Sequence, residues 1–238
     1  MANATKSIGA RLCILISFIS VLYTLYAALD PIYTLSITGR FLLAAAFILP
    51  LGLASILIAH QMPNERAKQQ VYHIFWWILF VYYLLQMIYM LFFASEFARQ
   101  NTPLFDGNYF EHLKQQWEVR CNLKPFDTIN LMRNAYENDM HHIAIVNILG
   151  NIVAFMPFAF FLPKLFPSMK KSKRFLGFMC LLVIFVEVTQ FLTMSGTMDI
   201  DDFILNIGGT SIFYFLLKLP LCNRLIVCHK TVPFAEHS

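Results

Sequence analysis

Long apolar runs alternate with polar segments along the chain, and six of the runs approach the length of a transmembrane helix. A helix that crosses a bilayer needs about 20 mostly apolar residues. The runs occupy residues 8–29, 41–59, 71–94, 143–162, 175–194 and 203–219. The pattern predicts an all-α fold, a polytopic membrane helix bundle with about six transmembrane helices. Pro50 and Pro157 lie inside the second and fourth runs and predict distortions of those helices.

The longest polar stretch lies between the third and fourth runs, at residues 95–142. Within it, Tyr109, Phe110, Leu113 and Trp117 recur at helical spacing, which predicts a short amphipathic helix. Such a helix either lies on the outer surface of the bilayer or packs on top of the helix bundle. The pattern leaves both arrangements open.

Composition supports a membrane protein and excludes a large soluble domain. Hydrophobic residues make up 58% of the chain and charged residues 13%. A soluble globular domain carries about 25% charged residues. The five cysteines are scattered along the chain, which does not favour a disulfide framework. No small-residue cleavage site follows the first run, so we expect a retained helix rather than a removed signal peptide.

The positive charges predict the orientation of the chain. The net charge is +4, and the basic residues sit in short loops rather than on a nucleic-acid-binding surface, so no nucleic-acid partner is expected. With six spans, the regions around Lys6, Arg66, Lys171 and Arg224 all fall on one side of the membrane. Because Lys and Arg concentrate in cytoplasmic loops, both termini are predicted to be cytoplasmic. The predicted organisation is a three-helix membrane region at 1–95, an extracytoplasmic segment at 96–142 and a cytoplasmic tail at 220–238.

An acidic turn, Asp199-Ile200-Asp201-Asp202, joins the fifth and sixth runs on the predicted outer side. Ionisable residues in a membrane span are costly and commonly functional, and Glu187 lies in the fifth run, about 10 Å below its outer end. Gly150, Gly208 and Gly209 lie beside other polar side chains, and small residues let helices approach closely. Polar side chains on the last three runs fall at similar heights, which predicts one outward-facing polar pocket. Its predicted lining is Asn147, Asn151, Glu187, Gln190, Asp199, Asp201, Asp202 and Asn206.

Each of these groups also has a purely structural interpretation. Asn147 and Asn151 are suited to hydrogen bonds between helices. A buried Glu187 is suited to a protonated state that bonds an amide, because burial favours the neutral carboxyl. The acidic turn is typical of a helix N-terminus, where Asp accepts hydrogen bonds from free backbone N–H groups.

Four motifs occur in order over residues 120–219. They are Arg120-Cys121-Asn122-Leu123-Lys124-Pro125-Phe126-Asp127-Thr128-Ile129; Asn147-Ile148-Leu149-Gly150-Asn151 with Phe155-Met156-Pro157 and Leu162-Pro163; Glu187-x-x-Gln190; and the acidic turn with Asn206 and Gly208-Gly209. Together they resemble the VanZ-like family, so 120–219 is the predicted VanZ-like region with three transmembrane helices. Many members carry an Arg shortly before the acidic cluster, where this chain has Ser195-Gly196-Thr197. Arg120 and Lys124 are candidate replacements in the pocket.

The resemblance implies a multi-pass protein of the bacterial cytoplasmic membrane that is associated with resistance to glycopeptide antibiotics, chiefly teicoplanin. It implies no mechanism and no established enzymatic activity. No cofactor is required by the sequence, and membrane lipids are the expected partners.

Three functions remain open, and we favour the first. The first is a non-enzymatic envelope factor whose pocket binds a lipid-linked envelope precursor or a lipoglycopeptide. The second is a metal-dependent enzyme acting on lipid-linked phosphate or sugar at the outer face. Its candidate metal ligands are Asp199, Asp201 and Asp202, and its candidate catalytic base is Glu187. The third is a lipid or small-molecule transporter, although the sequence has no visible inverted repeat.

Overall fold

The computed structural model describes residues 2–29, 36–94, 107–220 and 222 of the chain. Within them, six helices are long and apolar enough to cross a membrane, and they coincide with the six apolar runs. These are Thr5–Ala28, Thr38–Ala59, Glu65–Phe92, Ala144–Leu165, Ser172–Leu192 and Ile200–Leu217. The predicted all-α, multi-pass architecture is therefore confirmed. Residues 96–106 of the predicted extracytoplasmic segment and residues 221 and 223–238 of the predicted cytoplasmic tail lie outside the described residues.

The chain divides into two compact units, and the first contains the residues up to Leu85. It is built from α1 (Ala2–Leu29), α2 (Ile37–Ala59) and most of α3 (Glu65–Phe92). The loops supply caps for the helices that follow them. The hydroxyl of Ser36 accepts the N–H of Gly39 at 3.1 Å at the start of α2, which satisfies a donor that has no partner within the helix.

Buried serines link α1 to α2. The Ser17 hydroxyl donates to the carbonyl oxygen of Phe47 at 3.0 Å, and the Ser20 hydroxyl donates to that of Leu43 at 2.9 Å. Ser20 follows Ser17 in α1, whereas its partner Leu43 precedes Phe47 in α2, so the two helices are antiparallel. Hydroxyl groups inside a bilayer must find their partners within the protein, and these two find them on the neighbouring helix.

The second unit begins at Gln86, near the end of α3. Two short strands in it form a parallel pair, with Cys121 opposite Met198 and Asn122 opposite Asp199. This pair ties the segment before Asp127 to the segment before Ile200. In chain order the elements are α4 (Tyr109–Arg120), β1 (Cys121–Asn122), α5 (Asp127–Glu137), α6 (His141–Ala154), α7 (Met156–Leu165), a 3₁₀ turn (Pro167–Lys170), α8 (Ser172–Leu192), β2 (Met198–Asp199) and α9 (Ile200–Leu217).

The fourth predicted span consists of two helices, α6 and α7, separated at Phe155. Pro157 has no N–H to donate to the carbonyl of Val153, and its ring crowds that carbonyl. The chain turns at Phe155, and the N–H of Phe158 then bonds its carbonyl at 3.1 Å. The distortion predicted at Pro157 is therefore observed, whereas α2 continues through Pro50 as a single helix.

Helices α6 and α9 approach each other closely at Gly209. A Cβ atom at this position would lie 2.2 Å from the carbonyl oxygen of Ile152, a separation that real Cβ atoms essentially never show. At Gly150 and Gly208, by contrast, an added Cβ would meet no described atom within 4 Å. Of the three glycines expected to allow close packing, Gly209 makes the contact, and it lies about two turns of α9 beyond Asp202.

Helix α4 packs across the end of α8 through one face. The buried side-chain amide of Gln116 donates to the carbonyl oxygens of Gly196 at 2.9 Å and Phe191 at 3.4 Å. The Tyr109 hydroxyl donates to the carbonyl oxygen of Leu192 at 3.0 Å. The other face of α4 is exposed and includes apolar side chains. Of the two arrangements that the sequence left open, these contacts correspond to a helix packed on the bundle.

Candidate functional site

The carboxylates of the acidic turn face different partners, and the first of them caps α9. The Oδ1 of Asp199 accepts the N–H of Asp201 at 2.8 Å, and its Oδ2 accepts the hydroxyl of Thr128 at 2.5 Å. Asn122 donates its side-chain amide to the same hydroxyl at 3.1 Å. Burial raises the pKa of the neighbouring Cys121 thiol, and the charge of Asp199 raises it further. Asp199 thus serves as a helix N-cap and as a link to the start of α5.

The second carboxylate, Asp201, holds the N-terminus of α5. Its side chain is fully buried and accepts the backbone N–H groups of Phe126 at 2.6 Å and Ile129 at 3.0 Å. The first N–H groups of a helix lack partners within the helix, and a negative charge is favourable beside them. Phe126 has a φ of 70°, a left-handed conformation that is unfavourable for a residue with a side chain. Asp201 therefore helps to hold a strained turn in place.

The third carboxylate, Asp202, faces a small polar cavity. Its Oδ1 accepts a hydrogen bond from the side-chain amide of Asn151 on α6. The cavity has a volume of about 30 Å³. Because about 10–15 Å³ is enough for one water molecule, it has room for one or two. Its lining is Leu91, Asn151, Phe155, Val186, Glu187, Gln190, Thr197, Asp202 and Asn206.

Apart from Thr197, the polar side chains of the cavity come from α6, α8 and α9. Glu187, Gln190 and Asn206 are 7%, 5% and 2% exposed. The amide of Gln190 donates to the carbonyl oxygen of Leu91 at 2.9 Å, which joins α8 to the end of α3. The Oδ1 of Asn206 is buried and has no hydrogen-bond partner among the described residues. Thr197 is exposed, so the cavity reaches the surface beside the connection between α8 and α9.

The cavity contains half of the residues that the sequence assigned to one pocket. Asn151, Glu187, Gln190, Asp202 and Asn206 line it. The other five do not, and their positions differ. Asp199 and Asp201 hold α5 and α9. The buried Oδ1 of Asn147 has no hydrogen-bond partner in the described part of the chain. Arg120 is half-buried at the end of α4, and Lys124 is exposed before α5.

The three Asp residues that were candidate metal ligands do not converge on one point. Asp199 and Asp201 are engaged by the start of α5, and Asp202 is engaged by Asn151 on the cavity side. Within residues 2–29, 36–94, 107–220 and 222, no three His, Cys, Asp or Glu side chains are grouped closely enough to hold a metal ion. Side chains at adjacent positions in the first turn of a helix point in different directions. The three Asp residues are therefore close in sequence without forming a cluster of metal ligands.

Several residues at this site were not identified from the sequence. Leu91 contributes a backbone carbonyl, which no side-chain pattern could indicate. Gln116 is buried on α4, whereas Phe110 and Trp117 of the predicted apolar face are exposed, and its partners are carbonyl groups 75 and 80 positions away. Thr128 and Thr197 belong to segments that had been singled out, but neither hydroxyl was assigned a contact.

Comparison with known proteins agrees with the motifs. A family model described as VanZ/LLP1 matches residues 80–222, more than half of the chain. The match begins within α3, earlier than the first motif at Arg120. Comparisons with curated proteins and with solved structures produced no match. Because this match covers more than half of the chain, the chain belongs to the VanZ/LLP1 family.

Proposed function

We propose that this protein is an envelope factor of the bacterial cytoplasmic membrane that lowers susceptibility to teicoplanin-type glycopeptide antibiotics. Its working site is the polar cavity beside the acidic turn, which opens toward the extracytoplasmic side. The cavity binds part of a lipid-linked envelope precursor or of a lipoglycopeptide. Family membership supports the association with such antibiotics, and the cavity supports the location of the site.

The observation that carries this proposal is the group of carboxyl and amide side chains buried between apolar helices. Glu187, Gln190 and Asn206 are each less than one-tenth exposed. Polar groups removed from water are unfavourable unless they are hydrogen-bonded, and ionisable groups at membrane depth are commonly functional. Helix packing alone would be satisfied by apolar side chains, so this polar group favours a binding role.

The size of the cavity restricts what can enter it. Pockets for drug-sized ligands have volumes of about 300–1,000 Å³, whereas this cavity has about 30 Å³. A precursor or a lipoglycopeptide therefore binds across the mouth, near Thr197, and inserts one small group. The lining is rich in acceptors, including the Oδ1 of Asn206 and the carboxyl groups of Glu187 and Asp202. The inserted group is accordingly a hydrogen-bond donor, such as a sugar hydroxyl or an ammonium.

Replacing Glu187 by Gln should abolish the protective effect while leaving the protein in the membrane. The substitution keeps the shape of the side chain but replaces one carboxyl oxygen with an amide NH₂, which donates and does not accept hydrogen bonds. A buried donor of the ligand that is left without its acceptor costs about 1–3 kcal/mol, or about fivefold to a hundredfold in affinity. The measurement is the minimal inhibitory concentration of teicoplanin in a deletion strain complemented with wild-type protein or with E187Q. We expect E187Q to behave like the empty vector.

The matched control is Glu118→Gln, the same chemical change on the exposed surface of α4. It should restore protection fully at equal membrane abundance. Vancomycin, which lacks a lipid tail, serves as a second comparison and should show a smaller effect of the deletion. A deletion that does not alter teicoplanin susceptibility, or an E187Q variant that protects as well as wild type, would contradict the proposal.

A metal-dependent enzyme acting on lipid-linked phosphate or sugar is a second candidate function. The favouring observation is that Glu187 and Asp202 line the same cavity. Mg²⁺ is often bound by one or two carboxylates together with substrate phosphates, so two carboxyl groups in the cavity are sufficient ligands. Purified protein incubated with a polyprenyl phosphate or pyrophosphate and Mg²⁺ should then release phosphate or sugar. Absence of turnover by wild-type protein that is active in the susceptibility assay would exclude this candidate.

A further inference from the structure

We propose that the first unit carries a separate site, the N-terminal cleft, which binds the phosphate headgroup of an anionic membrane lipid. The cleft lies between the start of α1 and the end of α2 and has a volume of about 200 Å³. Its polar lining is Ser7, Arg11 and Gln61, and its apolar lining includes Ile14, Ile58 and Met62. Every lining residue belongs to the first unit, so this site is independent of the polar cavity and of the function proposed for it.

The antiparallel packing of α1 and α2 creates the cleft. A Cβ atom at Gly9 would lie 3.5 Å from the side chain of Leu57, so the helices are in contact just beside the cleft. Ser17 and Ser20 hold the next turns of α1 to α2. Toward the start of α1 and the end of α2, the helices are no longer tightly packed, and the side chains of Arg11 and Gln61 line an open space between them.

The lining changes from polar to apolar along the cleft, as a lipid changes from its polar headgroup to its apolar acyl chains. Arg11 is exposed and carries a guanidinium group, which can bond a phosphate in bidentate fashion. The Ser7 hydroxyl supplies a further donor. Gln61 is oriented by a hydrogen bond from its amide to the carbonyl oxygen of Leu57 at 2.9 Å. Ile14 and Ile58 then offer an apolar surface to the first part of an acyl chain.

Charge in this unit favours an anion at the cleft. Within residues 2–29 and 36–85, the acidic residue is Glu65, and it forms an ion pair with Lys68. No other carboxylate in these residues competes for Arg11, and Lys6 adds a second positive charge near Ser7. Basic groups beside a membrane attract anionic lipids.

The position of the cleft matches the level of a headgroup. The candidate spans are Thr5–Ala28 and Thr38–Ala59, so Ser7 and Arg11 lie in the first two turns of one span and Gln61 lies just beyond the end of the other. Long basic side chains near helix ends extend to the membrane interface. A lipid phosphate at this level can reach Arg11 while its acyl chains remain in the bilayer. A volume of 200 Å³ suits a headgroup rather than a whole lipid.

The test is a lipid titration of the purified full-length protein in detergent, followed by native mass spectrometry. Phosphatidylglycerol and phosphatidylcholine with identical acyl chains are the two probes. The wild-type protein should bind the first phosphatidylglycerol more tightly than the first phosphatidylcholine. Arg11→Gln should weaken binding of the first phosphatidylglycerol by about tenfold, because a charge-assisted hydrogen bond is lost. Ile58→Trp, which fills the cleft without altering charge, should weaken it similarly.

The matched control is Arg66→Gln, which removes the same charge from an exposed position that does not line the cleft. It should bind phosphatidylglycerol as wild type does. Three results would each overturn the proposal. They are an equal loss of phosphatidylglycerol affinity in R66Q, wild-type affinity in both R11Q and I58W, and no preference of the wild-type protein for phosphatidylglycerol. Inorganic phosphate at millimolar concentration should not displace the lipid, and full displacement would instead assign the cleft to a free anion. Because these readouts do not involve antibiotics, they are separate from the tests of the polar cavity.

Discussion

Replacing Gly209 by Ala should separate α6 from α9 and destabilise the second unit. The added methyl group would lie 2.2 Å from the carbonyl oxygen of Ile152 and 2.9 Å from its carbonyl carbon. Both atoms belong to the backbone, so no side-chain rotation relieves the clash, and one helix must shift. Overpacking typically costs about 1–3 kcal/mol, and we expect a value near the upper end because the clash is with backbone atoms. The measurement is the thermal unfolding midpoint of the purified protein in detergent, monitored by helical circular dichroism.

Gly208→Ala is the matched control, since nothing described lies within 4 Å of the added atom. It should unfold like wild type or slightly later, because Ala favours the helix more than Gly does. The shift of α6 should also pull Asn151 away from Asp202, so G209A should lose antibiotic protection while G208A keeps it. Equal unfolding midpoints for the two variants would contradict the close packing of α6 on α9.

Replacing Asp201 by Ala should release the start of α5 from the rest of the second unit. Two backbone N–H groups, those of Phe126 and Ile129, would lose their acceptor at a fully buried position. Hydrogen bonds to a charged group contribute about 1.5–3 kcal/mol each, so we expect a local loss of about 3 kcal/mol or more. The left-handed backbone of Phe126 should then relax, because the contact that holds it is gone.

Hydrogen exchange measured by mass spectrometry reports this change directly. Peptides covering residues 123–131 should exchange much faster in D201A, whereas peptides from α1 and α2 should not change. Asp201→Asn keeps one acceptor oxygen and should give an intermediate rate. Asp139→Asn is the control, because the Asp139 side chain is fully exposed and lies in the same segment. Unchanged protection of residues 123–131 in D201A would show that the backbone of α5 holds without this carboxylate.

Hydrophobic length was the reliable signal for the transmembrane helices. A bilayer requires each span to satisfy its own backbone hydrogen bonds, so an apolar run of sufficient length has few alternatives to a helix. Distortions were predicted at both Pro50 and Pro157 because proline lacks an N–H, but only Pro157 lies beside a break between two helices. The N-cap interpretation of the acidic turn also concerned neighbours in sequence, and the hydrogen bond that the Asp201 N–H donates to Asp199 agrees with it.

The sequence allowed a prediction of how far along its helix each polar residue lies, but not of the direction in which its side chain points. Glu187, Gln190, Asp202 and Asn206 line one cavity, whereas Asp201 sits next to Asp202 in sequence and points to the start of α5. Rise per residue sets height along a helix axis, but the direction of a side chain depends on how the helix is rotated against its neighbours. That rotation is set by contacts such as the one between Gly209 and Ile152.

By itself, the sequence determined the number of spans and the presence of an acidic turn between two of the helices, and it identified Pro50 and Pro157 as candidate distortions. These features depend on hydrophobic length, on proline and on residues adjacent in the chain. Only the tertiary structure decided that Asp201 holds α5 and that Asp202 faces the cavity, and it alone disclosed the cleft beside Arg11. The reason is physical: a side chain acquires its partner from the helix packed against it, and a backbone carbonyl such as that of Leu91 or Ile152 has no signature in the sequence.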